Sequence, residues 1–164
     1  MPINTIDSEL TSSAANPFIA ATKQTFSTML QCTPTRESLA LKSDQSGRPP
    51  YEVSAMINVA GSANGLITLS MPARTSFNIL ERMLHVSVES ITEDVIDAVG
   101  EIANIIVGAA KVHMDQMNLT INIPNVVIGR NRVIRYPGNV TPLSADFSSE
   151  VGAFTLEFGF QRSD

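Results

Sequence analysis

The chain has 164 residues, 43% of them hydrophobic and only 16% charged, which suits one domain with a buried core and argues against general disorder. Sixteen acids against eleven lysines and arginines leave a net charge of −5. With no basic stripe to neutralise phosphates, a nucleic acid or an anionic membrane is a poor partner, and a basic protein surface is a better one.

At the start of the chain, Met1-Pro2-Ile3-Asn4-Thr5 lacks the basic start and apolar core of a signal peptide. No apolar run reaches the ~20 residues that span a bilayer, so a cytoplasmic protein is expected. Residues 5–16 are rich in Ser, Thr and Ala without periodicity. Residues 1–15 therefore read as a flexible leader, and 16–164 as the single domain. Asn16-Pro17 predicts a helix start, with Asn16 as N-cap and Pro17 at the first helical position. Phe18, Ala21, Thr22, Thr25, Phe26, Met29 and Leu30 share one face of that helix, which runs to about Gln31 before Pro34 stops it. Cys32 is the only cysteine, so no intrachain disulfide can form.

Ser46-Gly-Arg-Pro-Pro50 breaks the pattern. Beyond it, the β-rich runs 51–60 and 65–71 flank a glycine-containing turn at Gly61–Gly65 and predict a hairpin. Pro72 opens a second helix from Ala73 to about Leu84, with Phe77, Leu80, Met83 and Leu84 at helical spacing. His85 and His113 have no second ligand at metal-site spacing and read as structural residues. Thr92-Glu-Asp-Val predicts an N-cap followed by acids in the first turn of a third helix, which runs to about Met117. Strands follow at Leu119–Ile123, Asn125–Gly129 and Phe154–Phe160, with a turn at Pro137-Gly138. The methionines read as core filler, and Arg130, Arg132 and Arg135 as a solvated edge. This order predicts an α+β domain, an antiparallel sheet covered by helices, one of them long and central.

The long helix carries the functional argument. At ~100° per residue, Val95, Val99, Ala103, Ile106, Val107, Ala110, His113 and Met114 spread over one broad side. Asp94, Asp97, Glu101, Asn104, Gly108 and Asp115 gather in a sector roughly 80° wide. A helix this apolar is buried on most of its circumference, so only that strip can face water. Acids near a helix start are favourable in any case, which accounts for Asp94. Two other residues resist that explanation. Asn104 is a poor helix former placed mid-helix, and Gly108 costs about 1 kcal/mol relative to Ala. Glu101, Asn104 and Gly108 recur at i, i+3 and i+7, which stacks them on one face. There the carboxylate can engage a cation, the amide can orient a water, and the glycine leaves room for another surface.

Glu101-Ile-Ala-Asn104-Ile-Ile-Val-Gly108 on a long amphipathic helix resembles the signature of the CheC/CheX/FliY phosphatases of bacterial chemotaxis, and the CheX branch most. Residues 16–30 resemble the opening helix of CheX proteins, residues 99–108 their active helix, and Ile123–Gly129 the strand that follows. The matches recur in that order from about residue 16 to 160. The resemblance implies a CheC/CheX-like fold and hydrolysis of the acyl phosphate on the aspartate of a CheY-like receiver domain. Asn104 would position the attacking water, and Glu101 would pair with the receiver's active-site lysine. Asp97, Gly108 and Ala109 would meet the partner surface. No cofactor is implied on this chain; Mg²⁺ would come with the receiver. The first helix has no Glu-x-x-Asn, so one site per chain is expected. A homodimer through an exposed sheet edge is also implied. The chain departs from the family's frequent Gly-Asn in having Gly108-Ala109-Ala110, which removes an amide near the docking face.

A second hypothesis is a non-catalytic module that binds a receiver or a motor-switch component through the same face. A small-molecule enzyme has no support, since no phosphate-cradling loop, nucleophile and base pair, or glycine fingerprint is present.

Overall fold

The computed structural model describes residues 5–42, 51–130, 134–138 and 140–163. In chain order these form α1 (Thr5–Ser13), α2 (Ala15–Leu30), β1 (Thr35–Leu41), β2 (Val53–Ala60), β3 (Ala63–Met71), α3 (Ala73–Leu84) and α4 (Glu93–Lys111). A 3₁₀ turn at Asp115–Met117 leads to β4 (Thr120–Ile121), β5 (Asn125–Ile128), β6 (Leu143–Ser148) and β7 (Phe154–Arg162). The strands make one seven-stranded sheet in the order β1-β6-β7-β3-β2-β4, with β5 also paired to β2, and every pairing is antiparallel. The α+β architecture matches the expectation. The Ser46–Pro50 breaker and Arg132 lie outside the described residues.

The sheet has one oily face, and period-2 alternation builds it. Val53, Ala55, Ile57 and Val59 of β2 and Phe154, Leu156, Phe158 and Phe160 of β7 are all buried. Helix α2 lays its expected face on β7. Phe18 stacks on Phe158 at 5.1 Å between centroids and Phe26 on Phe154 at 4.4 Å, while Phe147 continues the stack at 4.9 Å. Gly65 of β3 stands opposite Phe160 in register. A Cβ there would come within 2.5 Å of the Phe160 ring, so only glycine lets the ring lie across the strand.

The flexible leader expected over residues 5–13 is instead helix α1. Strand β6 pairs with β7 only as far as Leu143↔Phe158, so the next amides of β7 need other acceptors. Helix α1 provides them. Phe160 N–H donates to Thr11 Oγ1 at 3.0 Å, and Arg162 N–H donates to Asp7 Oδ1 at 2.9 Å. Polar side chains, not an apolar stripe, tie this helix down, which is why periodicity misses it. Thr11 is 2% exposed. Thr11→Val keeps the shape and strands the Phe160 amide, so it is expected to cost about 1–2 kcal/mol in urea unfolding.

Several boundaries also shift. Helix α2 begins at Ala15, capped by the helical backbone of Ala14 and not by Asn16, because α1 runs almost directly into it. Pro17 still falls in the first turn, where its missing N–H costs nothing. The hairpin turn is tighter than expected, since Ala63 and Asn64 already pair with Arg162 and Gln161 of β7. Helix α4 stops at Lys111, so His113 lies past its end and is exposed, not on the buried side. Leu84, the last residue of α3, is 56% exposed, where helical spacing had grouped it with the buried face. The strand expected at 119–123 shortens to Thr120–Ile121. Strands β1 and β6 were not expected: β1 is exposed along its whole length and lacks alternation, whereas β6 alternates Leu143, Ala145 and Phe147 with Ser144, Asp146 and Ser148 over only six residues.

Candidate functional site

Helix α4 is held on three sides. It packs against α2 and α3 and against β2, β3 and β5. Thr92 caps it as expected, its Oγ1 accepting from Val95 N–H at 3.3 Å, with Glu93 and Asp94 in the first turn and Lys111 in the last. Both placements complement the helix dipole. Val95, Ala98, Val99, Ile102, Ala103, Ile106, Val107 and Ala110 are buried. The strip left over is Asp94, Asp97, Glu101 and Asn104, all exposed, with Gly108 half-exposed one turn further on.

Asp97, Glu101 and Asn104 come together at the mouth of a cleft of about 350 Å³, lined also by Ile96 and Gly100 on α4 and by Pro124 and Val126 at the start of β5. The opposite wall is positioned by sheet pairing. Val126 stands opposite Ala55 of β2, and Asn122 N–H donates to Asn58 O at 3.0 Å, which fixes the loop before β5. At Gly100 the helix runs close to that wall: a Cβ there would lie 3.5 Å from Val126 and 3.8 Å from Pro124. That is ordinary contact distance, so Gly100 brings the wall near without being forced by it.

Gly108 is different. A Cβ placed on it would meet nothing within 4 Å. The protein's own packing does not require glycine here, yet glycine in a helix interior costs about 1 kcal/mol. Its neighbour Ala109 is half-buried and packs against the core, so it turns away from the strip. Sequence reasoning missed Ile96, Gly100, Pro124 and Val126 as lining residues. Pro124 and Val126 nevertheless lie in the segment Ile123–Gly129 singled out by resemblance.

This arrangement offers a carboxylate and an amide one turn apart on a helix whose back is locked in the core. It offers no nucleophile. Among the described residues no group of three or more His, Cys, Asp or Glu could hold a metal ion. Nor is any described helix long and apolar enough to cross a membrane. A carboxylate so placed can bind a cation, and an amide so placed can orient a water.

Residues 53–148 match the family model described as chemotaxis phosphatase CheX. Comparison with curated proteins found no match. Among solved structures, a protein from Desulfovibrio vulgaris Hildenborough is 30% identical, with a TM-score of 0.79 over 91% of this chain and 97% of that one. A CheX chemotaxis protein from Desulfovibrio desulfuricans is 27% identical, with a TM-score of 0.77 over 91% and 99%. The fold also resembles the CheX of a CheX–CheY–BeF₃–Mg²⁺ complex from Borrelia burgdorferi, at 20% identity and a TM-score of 0.72 over 90% and 97%.

Proposed function

The chain belongs to the CheX family of chemotaxis phosphatases, and from that premise we propose that it hydrolyses the aspartyl phosphate of a CheY-like receiver domain through Glu101 and Asn104. The observation that carries this reading is the placement of that pair: both side chains are exposed, one turn apart, over a cleft, on a helix buried along its other side. A helix fixed in this way holds a side chain in register with a docked partner, and such positioning is most of what phosphoryl transfer needs. The Borrelia burgdorferi CheX was solved with CheY, BeF₃ and Mg²⁺. That partner set supports the same pairing for this chain.

In the proposed reaction a water oxygen bonds to phosphorus in line with the departing aspartyl oxygen. The receiver's carboxylate is released and inorganic phosphate forms. The amide of Asn104 accepts a hydrogen bond from the water with its oxygen and donates to a phosphoryl oxygen with its NH₂. Glu101 pairs with the receiver's lysine in a charge-assisted contact. Mg²⁺ and that lysine belong to the receiver and neutralise the phosphoryl charge, so no cofactor is needed on this chain. Asp97 extends the acidic rim, Gly108 clears the approach, and Ala109 adds only a small, half-buried surface beside it. A cytoplasmic location and a homodimer paired through a sheet edge belong to the same reading. Strand β1, exposed throughout and hydrogen-bonded to β6, is a suitable edge.

The direct test follows decay of a phosphorylated receiver with and without the protein. A shortened phosphate lifetime supports the reading; stable binding with an unchanged lifetime supports a docking module instead. Glu101→Ala is expected to raise the dissociation constant about 10- to 100-fold, the equivalent of losing a hydrogen bond between charged groups. The rate at saturation should fall far less. Retained affinity would contradict the anchoring role.

A further inference from the structure

One apolar residue on this surface has no structural reason to be apolar. Ile123 is 90% exposed, the most exposed of the described large hydrophobic residues. It directly precedes Pro124, which lines the cleft, so its Cα lies about 3.8 Å from a residue of the cleft wall. Its backbone is held from both sides. Asn122 N–H donates to Asn58 O at 3.0 Å, and β5 begins at Asn125 with its pairing to Met56. A fixed loop thus presents a bare branched side chain one residue from the wall of the cleft that Asp97, Glu101 and Asn104 line, and none of the protein's core claims it.

Building on the phosphatase reading above, we infer that Ile123 is the apolar anchor of receiver docking, entering a depression on the receiver beside its phosphorylated aspartate. The two kinds of group divide the work. Exposed acids such as Asp97 and Glu101 attract and orient a basic surface, and they act mostly on the association rate. An apolar side chain buried at the centre of a contact, ringed by polar groups, governs how long the complex lasts. Ile96, Pro124 and Val126 line the cleft but are half-buried, whereas Ile123 stands clear of the surface beside it, and its fit to the receiver selects which receivers dock.

The test uses the intact protein with a receiver loaded with BeF₃ and Mg²⁺ for affinity, and with the phosphorylated receiver for decay. Ile123→Ala is expected to weaken binding about tenfold, equal to about 1.4 kcal/mol. KM should rise in step, with the saturating rate unchanged. Ile123→Leu, which keeps the apolar volume, should restore affinity. Leu84→Ala removes a side chain that is 56% exposed at the end of α3, outside the cleft lining, and should leave binding unchanged. Because Ile123 barely touches its own protein, its truncation does not threaten the fold. If wild type accelerates decay but Ile123→Ala binds as tightly, or if Leu84→Ala weakens binding equally, the anchor is overturned and the phosphatase reading stands. A wild-type protein that neither binds nor accelerates decay overturns that reading, and the anchor with it.

Discussion

Asn104→Ala is expected to abolish the accelerated decay of a phosphorylated receiver while leaving docking and stability intact. The reasoning starts from the helix. Asn104 is exposed and sits mid-helix, where alanine is the better helix former, so truncation should if anything raise the melting temperature slightly. Docking should persist as well, because Glu101 and the apolar contact remain. What disappears is the group proposed to fix the water in line with the phosphorus. Loss of a single positioning or charge-stabilising group typically costs about 100-fold or more in rate, which would return decay to the receiver's own pace. Single-turnover phosphate release at saturating protein reads this directly, with the dissociation constant measured alongside. Asn104→Asp makes a sharper control. It retains an acceptor but loses the NH₂ donor and adds a negative charge beside the phosphoryl group, so it should be equally inactive. An undiminished rate in either variant would sink the water-positioning role.

The helix that carries the candidate site was more legible in the sequence than the elements around it, for physical reasons. Helix α4 announces itself through a cap, first-turn acids and a long 3.6-residue period. Against such regularity Asn104 and Gly108 stand out as local costs. The open space beside Gly108 sharpens that signal, since no internal contact explains the glycine. The far wall of the cleft was not legible. Pro124 and Val126 reach α4 only because β5 pairs with β2, a contact between residues some 70 positions apart that no local pattern encodes. Helix α1 was missed for a related reason. Its hold on the structure is Thr11 and Asp7 capping amides that β6 leaves open, whereas periodicity detects only apolar stripes. Strand β6 does alternate, Leu143, Ala145 and Phe147 against Ser144, Asp146 and Ser148, and was readable as a strand, though the run is only six residues long.

That second side of the sheet gives the largest expected effect on stability. Lys42, just after β1, meets Glu157 of β7 with Nζ–Oε2 at 2.6 Å, and each side chain is only 8% exposed. The pair is covered by the segment leading into β6, where Tyr136, Val140 and Pro142 crowd over Gly159. Tyr136 OH and Ser144 OH also donate to Glu157, each at 3.4 Å, longer contacts than the ion pair. Lys42→Met takes the ammonium away from a buried carboxylate and is expected to cost about 3–5 kcal/mol in unfolding experiments. Lys42→Met combined with Glu157→Leu removes both charges and keeps apolar volume, so most of that loss should return. Recovery in the double variant is the informative result. It would show that the single loss came from unbalancing a buried charge, not from any intrinsic worth of the ion pair. If the double variant is as unstable as the single one, the pair does not act by compensating charge. Helix α4 lies on the other face of the sheet. Phosphatase activity per folded molecule should then be the same in wild type and both variants, separating the residues that hold the frame from those that act on the phosphate.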